Sequence, residues 1–205
     1  MRGIFTLISA IAHPLIMPLA CVYLGSQYDW YVRGLADASS LRLVYLIVVL
    51  STVIFPGLNI ILLKWCGAVN SLEMPTRKER YLPFLSTFFF FCLGYFMLRR
   101  APLPESLYSI YFGCITGLVS LTLINFTWKI SAHAAGAFGL VGTTVALFQV
   151  HHFGNVFLLC TVLIIGALVM SSRLYLRAHT PPQVYVGAFM GFLALYIPVA
   201  LGFFI

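Results

Sequence analysis

Acidic residues are scarce in this chain of 205 residues, and its second half has none. Five Asp and Glu stand against twelve Lys and Arg, and no Asp or Glu occurs from residue 106 to residue 205. This scarcity disfavours a metal site built from several carboxylates. A Ser-His-Asp catalytic triad would also have to take its Asp from the first half of the chain.

Cysteine is sparse as well and follows no pattern. The cysteines are five, no CxxC spacing occurs, and most stand inside apolar runs (Cys21, Cys66, Cys92, Cys114, Cys160). They are interpreted as small hydrophobic residues, and neither as metal ligands nor as a disulfide framework.

Charged side chains make up only 8% of the residues, whereas 61% are hydrophobic. Ordinary domains are roughly a quarter charged, and a soluble fold of this composition could not cover its surface with polar groups. The composition therefore predicts a polytopic membrane protein and excludes a disordered chain. The net charge of +7 reflects a few specific cations and not a basic surface that binds nucleic acid.

Seven apolar stretches approach the roughly 20 residues that a membrane-spanning helix needs. They cover residues 3–24, 41–63, 81–98, 106–128, 134–150, 153–172 and 184–205. Their length and the lack of strict period-two alternation favour helices over a closed barrel. We expect an all-α polytopic membrane helix bundle of about six or seven transmembrane helices, with residues 1–205 in a single domain.

The connections between these stretches alternate between two faces of the predicted bundle. The face that carries the N-terminus, called the N-terminal face below, also receives residues 64–80, 129–133 and 173–182. The opposite face receives residues 25–40, 99–105 and 151–152. Loops are polar in most proteins, but the N-terminal face collects mainly basic and imidazole groups at helix boundaries, almost without countercharge.

Three helix starts are predicted at the N-terminal face. Thr76 and Glu79 have the spacing of a capping box. Ser131 is a suitable cap for the fifth stretch, and Thr180 precedes two prolines that suit a first helical turn. Free N–H groups at helix starts bind phosphate, and the arginine fork matches its oxygens. The pattern predicts an anion site that is best suited to phosphate.

Two histidines, His133 and His179, stand among these groups. A single loop histidine is usually structural or solvated, but imidazole can also act as a nucleophile or as a general acid and base near neutral pH. Phosphoryl transfer needs charge stabilisation, an in-line nucleophile and a protonated leaving group. Arginines and helix starts can supply the first and the two histidines the others, so no metal is required.

The spacing of these residues resembles a known pattern. Ser172-Arg173, five residues, His179, three residues and Gln183 resemble the third signature of the type-2 phosphatidic-acid phosphatase superfamily, SRx5HxxxD. Residues 130–133, with the sequence ISAH, are similar to its second signature, PSGH, at the serine and the histidine. The order of the segments and the two-helix hairpin between them also fit.

The resemblance implies a role for each matching residue. His179 matches the nucleophile that becomes phosphorylated, and His133 matches the acid that protonates the leaving group. Arg173 and Ser131 match phosphate ligands. The family uses no metal cofactor, so the resemblance implies a lipid phosphatase that works through a phosphohistidine without metal.

The family's first signature, Kx6RP, is absent as written. The basic cluster Arg77-Lys78-Glu79-Arg80, with Pro83 downstream, takes its place. Arg77 and Arg80 share a helix face at spacing i,i+3 and are the predicted phosphate ligands, whereas Lys78 would project elsewhere.

Gln183 stands where the family has aspartate and is predicted to orient His179. Its amide oxygen can accept the imidazole Nδ1–H, which fixes the tautomer and leaves Nε2 free, but it cannot neutralise an imidazolium. Glu73 or Glu79 could supply the missing charge, although capping is the favoured role of Glu79.

Other features have simpler interpretations. His151-His152 is an adjacent pair whose side chains diverge on a helix, so an interfacial loop is favoured over a metal site. His13 with Pro14 is interpreted as a kink in the first helix. Three glycines at close helical spacing indicate tight helix packing (Gly136, Gly139, Gly142).

The sequence thus predicts an integral-membrane phosphatase for lipid phosphates or diphosphates, with the membrane and a lipid phosphate as partners and no nucleic acid. A catalytically impaired phospholipid-binding or channel protein and a small transporter are the alternatives. An intramembrane carboxylate would favour proton-coupled transport. No Asp or Glu follows Glu105, which disfavours the transporter. The arginines outside the predicted site favour an extracytoplasmic active face.

Overall fold

A computed structural model describes residues 2–28, 38–72, 74, 76–101 and 103–202. In these ranges the chain is helical and contains no strand. The helices are α1 (Arg2–Ile11), α2 (Met17–Tyr28), α3 (Ala38–Val49), α4 (Phe55–Trp65), α5 (Tyr81–Leu98), α6 (Glu105–Thr127), α7 (Ala132–His151), α8 (Val156–Tyr175) and α9 (Pro181–Leu201). A π-helical turn, Leu50–Ile54, joins α3 to α4, and a 3-10 turn, Lys78–Arg80, leads into α5.

Six helical segments of the described chain are long and apolar enough to cross a membrane (Ser40–Trp65, Lys78–Leu98, Glu105–Thr127, Ala132–His151, Val156–Tyr175, Pro181–Leu201). They correspond to the second to seventh predicted stretches, with ends that differ by a few residues. The prediction of an all-α polytopic helix bundle is therefore confirmed, and the chain has the architecture of a multi-pass integral membrane protein.

The first predicted stretch, residues 3–24, is not one continuous helix, and the kink predicted at Pro14 is a complete break. It consists of α1 and α2 with a break between them. Pro14 causes the break, because proline has no N–H to donate and disfavours helical geometry in the residue before it. The two pieces still follow the bundle from end to end. Phe5 stacks on Tyr175 near the N-terminal face, and Tyr28 lies beside Phe148 at the other end.

Helix α7 lies at the centre of the bundle and meets α9 with almost no space between them. A methyl group on Gly142 would lie 2.4 Å from the carbonyl oxygen of Phe192, and one on Gly191 would lie 2.0 Å from that of Ala135. The predicted role of Gly142 in tight packing is confirmed. At the N-terminal face the backbone N–H of Ser131 donates to the carbonyl of Gln183 at 3.2 Å, which holds the starts of α7 and α9 side by side.

Candidate functional site

A cavity of about 600 Å³ lies at the N-terminal face, bounded by the break between α1 and α2 and by the starts of α7 and α9. Its polar wall carries five cations (Arg2, Arg80, Lys129, Arg173, Arg177) and three imidazoles (His13, His133, His179). Its deeper wall is apolar and includes Phe91, Leu118, Leu121 and Leu195. No Asp or Glu occurs among the described residues that line it. The cavity therefore has a basic end and an apolar end.

His133, His179 and Arg173, which were predicted to lie at the anion site, all line this cavity, and of the two predicted phosphate ligands Arg77 and Arg80 only Arg80 does. The roles assigned to these residues remain predictions.

His179 is held by Gln183 in the predicted way. Its Nδ1 lies 3.1 Å from Oε1 of Gln183, and the same Oε1 accepts the backbone N–H of Thr180 at 3.2 Å. Because a backbone N–H can only donate, this atom must be the amide oxygen, and Nδ1 of His179 must carry the proton. The lone pair of Nε2 is therefore free, and Gln183 serves both as a helix cap and as the partner of the imidazole.

The connection between α8 and His179 reverses the chain direction in a tight turn that contains no glycine. The N–H of Ala178 donates to the carbonyl of Arg173 at 3.1 Å, and that of Arg177 donates to the carbonyl of Leu174 at 3.0 Å. This is a Schellman motif, and Arg177 occupies its left-handed position with φ at 53°. The sharp turn brings the end of α8, with Arg173, beside the start of α9, with His179.

Burial sets the charge state of His179. The side chain is 8% exposed. Burial, and after it the Arg80 guanidinium, lowers the pKa of His179 to about 3, against the opposite effect of the Gln183 hydrogen bond. The imidazole is therefore neutral at physiological pH and needs no deprotonation before it can act as a nucleophile.

Arg80 and Arg77 have different environments although they were predicted to act together. Arg80 is only 7% exposed. Its Nε donates to the carbonyl of Met74 at 3.1 Å, and one terminal nitrogen donates to that of Ile130 at 3.0 Å. Arg77 does not line the cavity. Its guanidinium is exposed and donates to the last carbonyls of α6, at Phe126 and Thr127.

Ser131 is also positioned away from the cavity wall. It is fully buried, and its hydroxyl accepts the N–H of Ala134 at 3.3 Å as the cap of α7. The predicted cap is confirmed. The structure thus brings His133 to the cavity and leaves Ser131 outside its lining.

Arg173 belongs to a chain of hydroxyl groups that joins α8 to α1. One of its terminal nitrogens donates to Oγ of Ser9 at 3.2 Å, and Oγ of Ser9 lies 2.9 Å from that of Ser172. Ser172 donates to the carbonyl of Val169 at 2.8 Å, so Ser9 must donate to Ser172. This chain holds one terminal nitrogen of the guanidinium at the cavity.

Glu79, the acidic alternative that the structure describes, is not part of the cavity wall. Glu79 accepts from the side-chain amide of Asn70 at 3.0 Å. The capping box that was predicted for Thr76 and Glu79 is not formed, because the 3-10 turn begins after Arg77 without a side-chain cap. Glu73 lies outside the described residues.

Two cavity residues, Lys129 and His13, were absent from the predicted site. Nζ of Lys129 donates to the carbonyl of Ala178 at 3.1 Å. Burial, together with Arg80 and Arg173, lowers the pKa of Lys129. Its position four residues before His133 could have indicated its location. His13 was interpreted as part of a kink, and the proline beside it was the only sign that its side chain leaves a regular helix.

The arrangement can bind an anion and transfer a group from it. Buried Arg80 and half-buried Lys129, both held by backbone carbonyls, favour a doubly charged oxyanion such as phosphate. His179 offers a free nitrogen, and His133 offers a second imidazole. Among the described residues, no group of three or more His, Cys, Asp or Glu side chains could hold a metal ion. No family model, curated protein or solved structure matches this chain.

Proposed function

We propose that this protein is a lipid phosphatase, acting on a phosphate or diphosphate monoester through a phosphohistidine, as in the type-2 phosphatidic-acid phosphatase superfamily. The observation that carries the proposal is the Nδ1-protonated His179, with Nε2 free, in a cavity that also holds His133, Arg80 and Arg173. No carboxylate occurs among the described lining residues, and Arg80 and Lys129 donate to backbone carbonyls, which supports a bound phosphate as their countercharge.

The reaction follows from these positions. Nε2 of His179 attacks phosphorus while the bond to the lipid oxygen breaks, and His133, which takes up a proton together with the bound phosphate dianion, gives that proton to the lipid oxygen. Arg80, Arg173 and Lys129 stabilise the charge on the phosphoryl oxygens. Neutral His133 then takes a proton from water, which attacks the phosphohistidine and releases phosphate and free His179. The two steps return every group to its starting state.

The two ends of the cavity support a lipid as the substrate. The cations lie at the N-terminal face, and the wall below them is apolar. A molecule with a phosphate at one end and an acyl or isoprenoid chain at the other would place each part against matching chemistry. A small water-soluble phosphate ester would leave the apolar wall uncovered.

The proposed active face is extracytoplasmic. Apart from the cavity residues and the basic cluster at residues 77–80, the opposite face carries Arg42, Arg99 and Arg100, all of them exposed, whereas the N-terminal face keeps Lys64. Cytoplasmic connections are enriched in Lys and Arg. A cysteine introduced at exposed Glu105 should react with an impermeant maleimide only after the membrane is opened. Labelling of intact cells at this position would reverse the orientation.

The proposed activity is tested by phosphate release from purified full-length protein in detergent, with lipid monophosphates and diphosphates as substrates. We expect release by the wild type, none above background from His179→Ala, and an acid-labile phosphoprotein that His179→Ala cannot form. His152→Ala, at an exposed histidine of the opposite face, is the matched control and should keep full activity. Full turnover by His179→Ala would refute the mechanism.

A phospholipid-binding protein without turnover is the second candidate. It is favoured by the neutral Gln183 beside His179, which stabilises an imidazolium less than a carboxylate would. Lipid phosphate binding by the wild type without release of phosphate would select it. A proton-coupled transporter is less well supported, since no described carboxylate lines the cavity.

A further inference from the structure

The break between α1 and α2 is fixed against α7 close to His133. The N–H of Ile16 donates to the carbonyl of His13 at 2.9 Å and closes a tight turn. A methyl group on Gly136 would lie 2.9 Å from Cγ of Met17 and 3.5 Å from Cα of Pro14. The broken segment therefore packs on α7 one helical turn after His133. This packing holds the break at the level of His133, and the side chain of His13 lies in the cavity wall.

The hydrogen bond of His13 determines which nitrogen carries its proton. Nδ1 lies 3.3 Å from the backbone nitrogen of Leu15 and accepts its N–H. A ring nitrogen that accepts has no hydrogen, so the neutral imidazole carries its proton on Nε2. No described residue pairs with this Nε2–H. The ring meets that of His133 edge-on, with centroids 5.5 Å apart and an interplanar angle of 80°. His13 thus offers a hydrogen-bond donor beside His133.

The site needs such a donor, because two predicted phosphate ligands are engaged elsewhere. The hydroxyl of Ser131 caps α7, and the guanidinium of Arg77 caps the carbonyl end of α6. Neither residue lines the cavity, whereas His13 does. A phosphate group presents three or four acceptor oxygens, which several separate donors must satisfy.

We infer that His13 is a phosphate ligand of this site, donating its Nε2–H to an oxygen of the phosphate group bound beside His133. The inference deepens the proposed function and rests on it for the identity of the anion. It gives the break between α1 and α2 a role in substrate binding. Broken helices in membrane proteins commonly place polar groups at a binding site in this way.

The test compares two substitutions that separate the donor from the ring. His13→Phe keeps an aromatic ring against His133 but removes the N–H. His13→Gln loses the ring, while its amide nitrogen can take the place of Nε2–H. Inorganic phosphate is the probe, and its Kd is measured by titration calorimetry on the full-length protein in detergent.

We expect His13→Phe to weaken phosphate binding about tenfold or more, the effect of one lost hydrogen bond to a charged group, and His13→Gln to stay within about threefold of the wild type. Melting temperatures of both variants show whether the fold is intact. Unchanged binding by His13→Phe, equal weakening in both variants, or a wild type that does not bind phosphate would each overturn the inference.

The outcomes also separate this inference from the phosphatase proposal. If the wild type binds phosphate but releases none from any lipid phosphate, and His13→Phe binds it weakly, the phosphatase proposal fails while His13 remains a phosphate ligand. If the wild type releases phosphate from a lipid phosphate and His13→Phe binds inorganic phosphate as tightly as the wild type, the phosphatase proposal stands and the inference about His13 fails.

Discussion

The two ends of the helix bundle use arginine in opposite ways. At the opposite face Arg99 and Arg100 are exposed, and each lies over an aromatic ring, 5.1 Å from the centroid of Tyr108 and 4.6 Å from that of Phe96. At the N-terminal face Arg80 is buried, and Arg173 is half-buried. The first pair has the position of cations at a membrane surface, where arginine and aromatic side chains meet water and lipid.

This difference indicates that the cations of the cavity are less fully compensated than those of the opposite face. A cation that leaves water loses hydration, and neutral carbonyl or hydroxyl partners replace only part of it. Arg80 and Lys129 are held by carbonyls, and Arg173 is held in part by Ser9. An anion in the cavity would restore the balance, so ligand binding should stabilise this end of the molecule and have little effect on the other.

Removing one arginine from each end should give the largest contrast. We expect Arg173→Met to lower kcat/KM for phosphate release about 10²–10³-fold, the usual effect of losing a group that stabilises transition-state charge. Arg99→Met should leave the rate unchanged, since Arg99 is exposed at the far face. Release of phosphate from a lipid phosphate measures both. Equal rates in the two variants would remove the functional difference between the ends.

The pH dependence of stability should report the buried imidazole. The pKa of His179 falls from 6.5 to about 3 in the folded protein, so below pH 6.5 the unfolded chain takes up a proton that the folded chain refuses. Stability therefore declines as the pH falls, by about 2 kcal/mol between pH 8 and pH 5 from this group alone.

The melting temperature of the phosphate-free protein in detergent measures this decline. His179→Gln should lose less stability than the wild type between pH 8 and pH 5, because glutamine does not titrate. Parallel curves for the two proteins would mean that His179 is solvated or already charged, contrary to its burial.

The orienting amide should have a smaller effect on catalysis. We expect Gln183→Leu to lower turnover about fivefold, since one neutral hydrogen bond contributes about 1 kcal/mol, and Gln183→Asp to preserve or raise it. Because Gln183 also caps α9, Thr180→Ala serves as a control that weakens the same cap without contacting Nδ1 of His179. If Gln183→Leu and Thr180→Ala lose equal activity, the amide acts only on the helix.

The fold was largely predictable, since the length and apolar composition of a stretch dictate a spanning helix when no water can satisfy its backbone. In the first stretch the proline predicted a kink, but the sequence did not show that the helix would end there and start again at Met17. In the site, spacing located His133, His179, Arg173 and Arg80. It also gave the bond between His179 and Gln183, because residues four apart on a first helical turn face each other.

The remaining site residues were not predictable by spacing, for a common reason. A motif places a residue near the cavity, but the partners of its polar atoms decide whether it reaches the cavity. Ser131 and Arg77 are both in suitable segments and both satisfy a helix end. His13 comes from the other end of the sequence, and only the packing of the broken segment on Gly136 brings it to His133.

The same contrast between exposed and buried arginine recurs within the N-terminal face, because Arg77 and Arg80 lie only three residues apart. Arg77 is exposed, and it donates to the terminal carbonyls of α6 at Phe126 and Thr127. A cation at a helix C-terminus stabilises the helix by roughly 0.3–1 kcal/mol. We therefore expect Arg77→Met to lower the melting temperature slightly while the Kd for inorganic phosphate stays the same. Arg80→Met should weaken phosphate binding, since Arg80 lines the cavity. Calorimetric titration of both variants decides between an anchoring and a binding role, and a clear loss of phosphate affinity in Arg77→Met would place this arginine among the ligands after all.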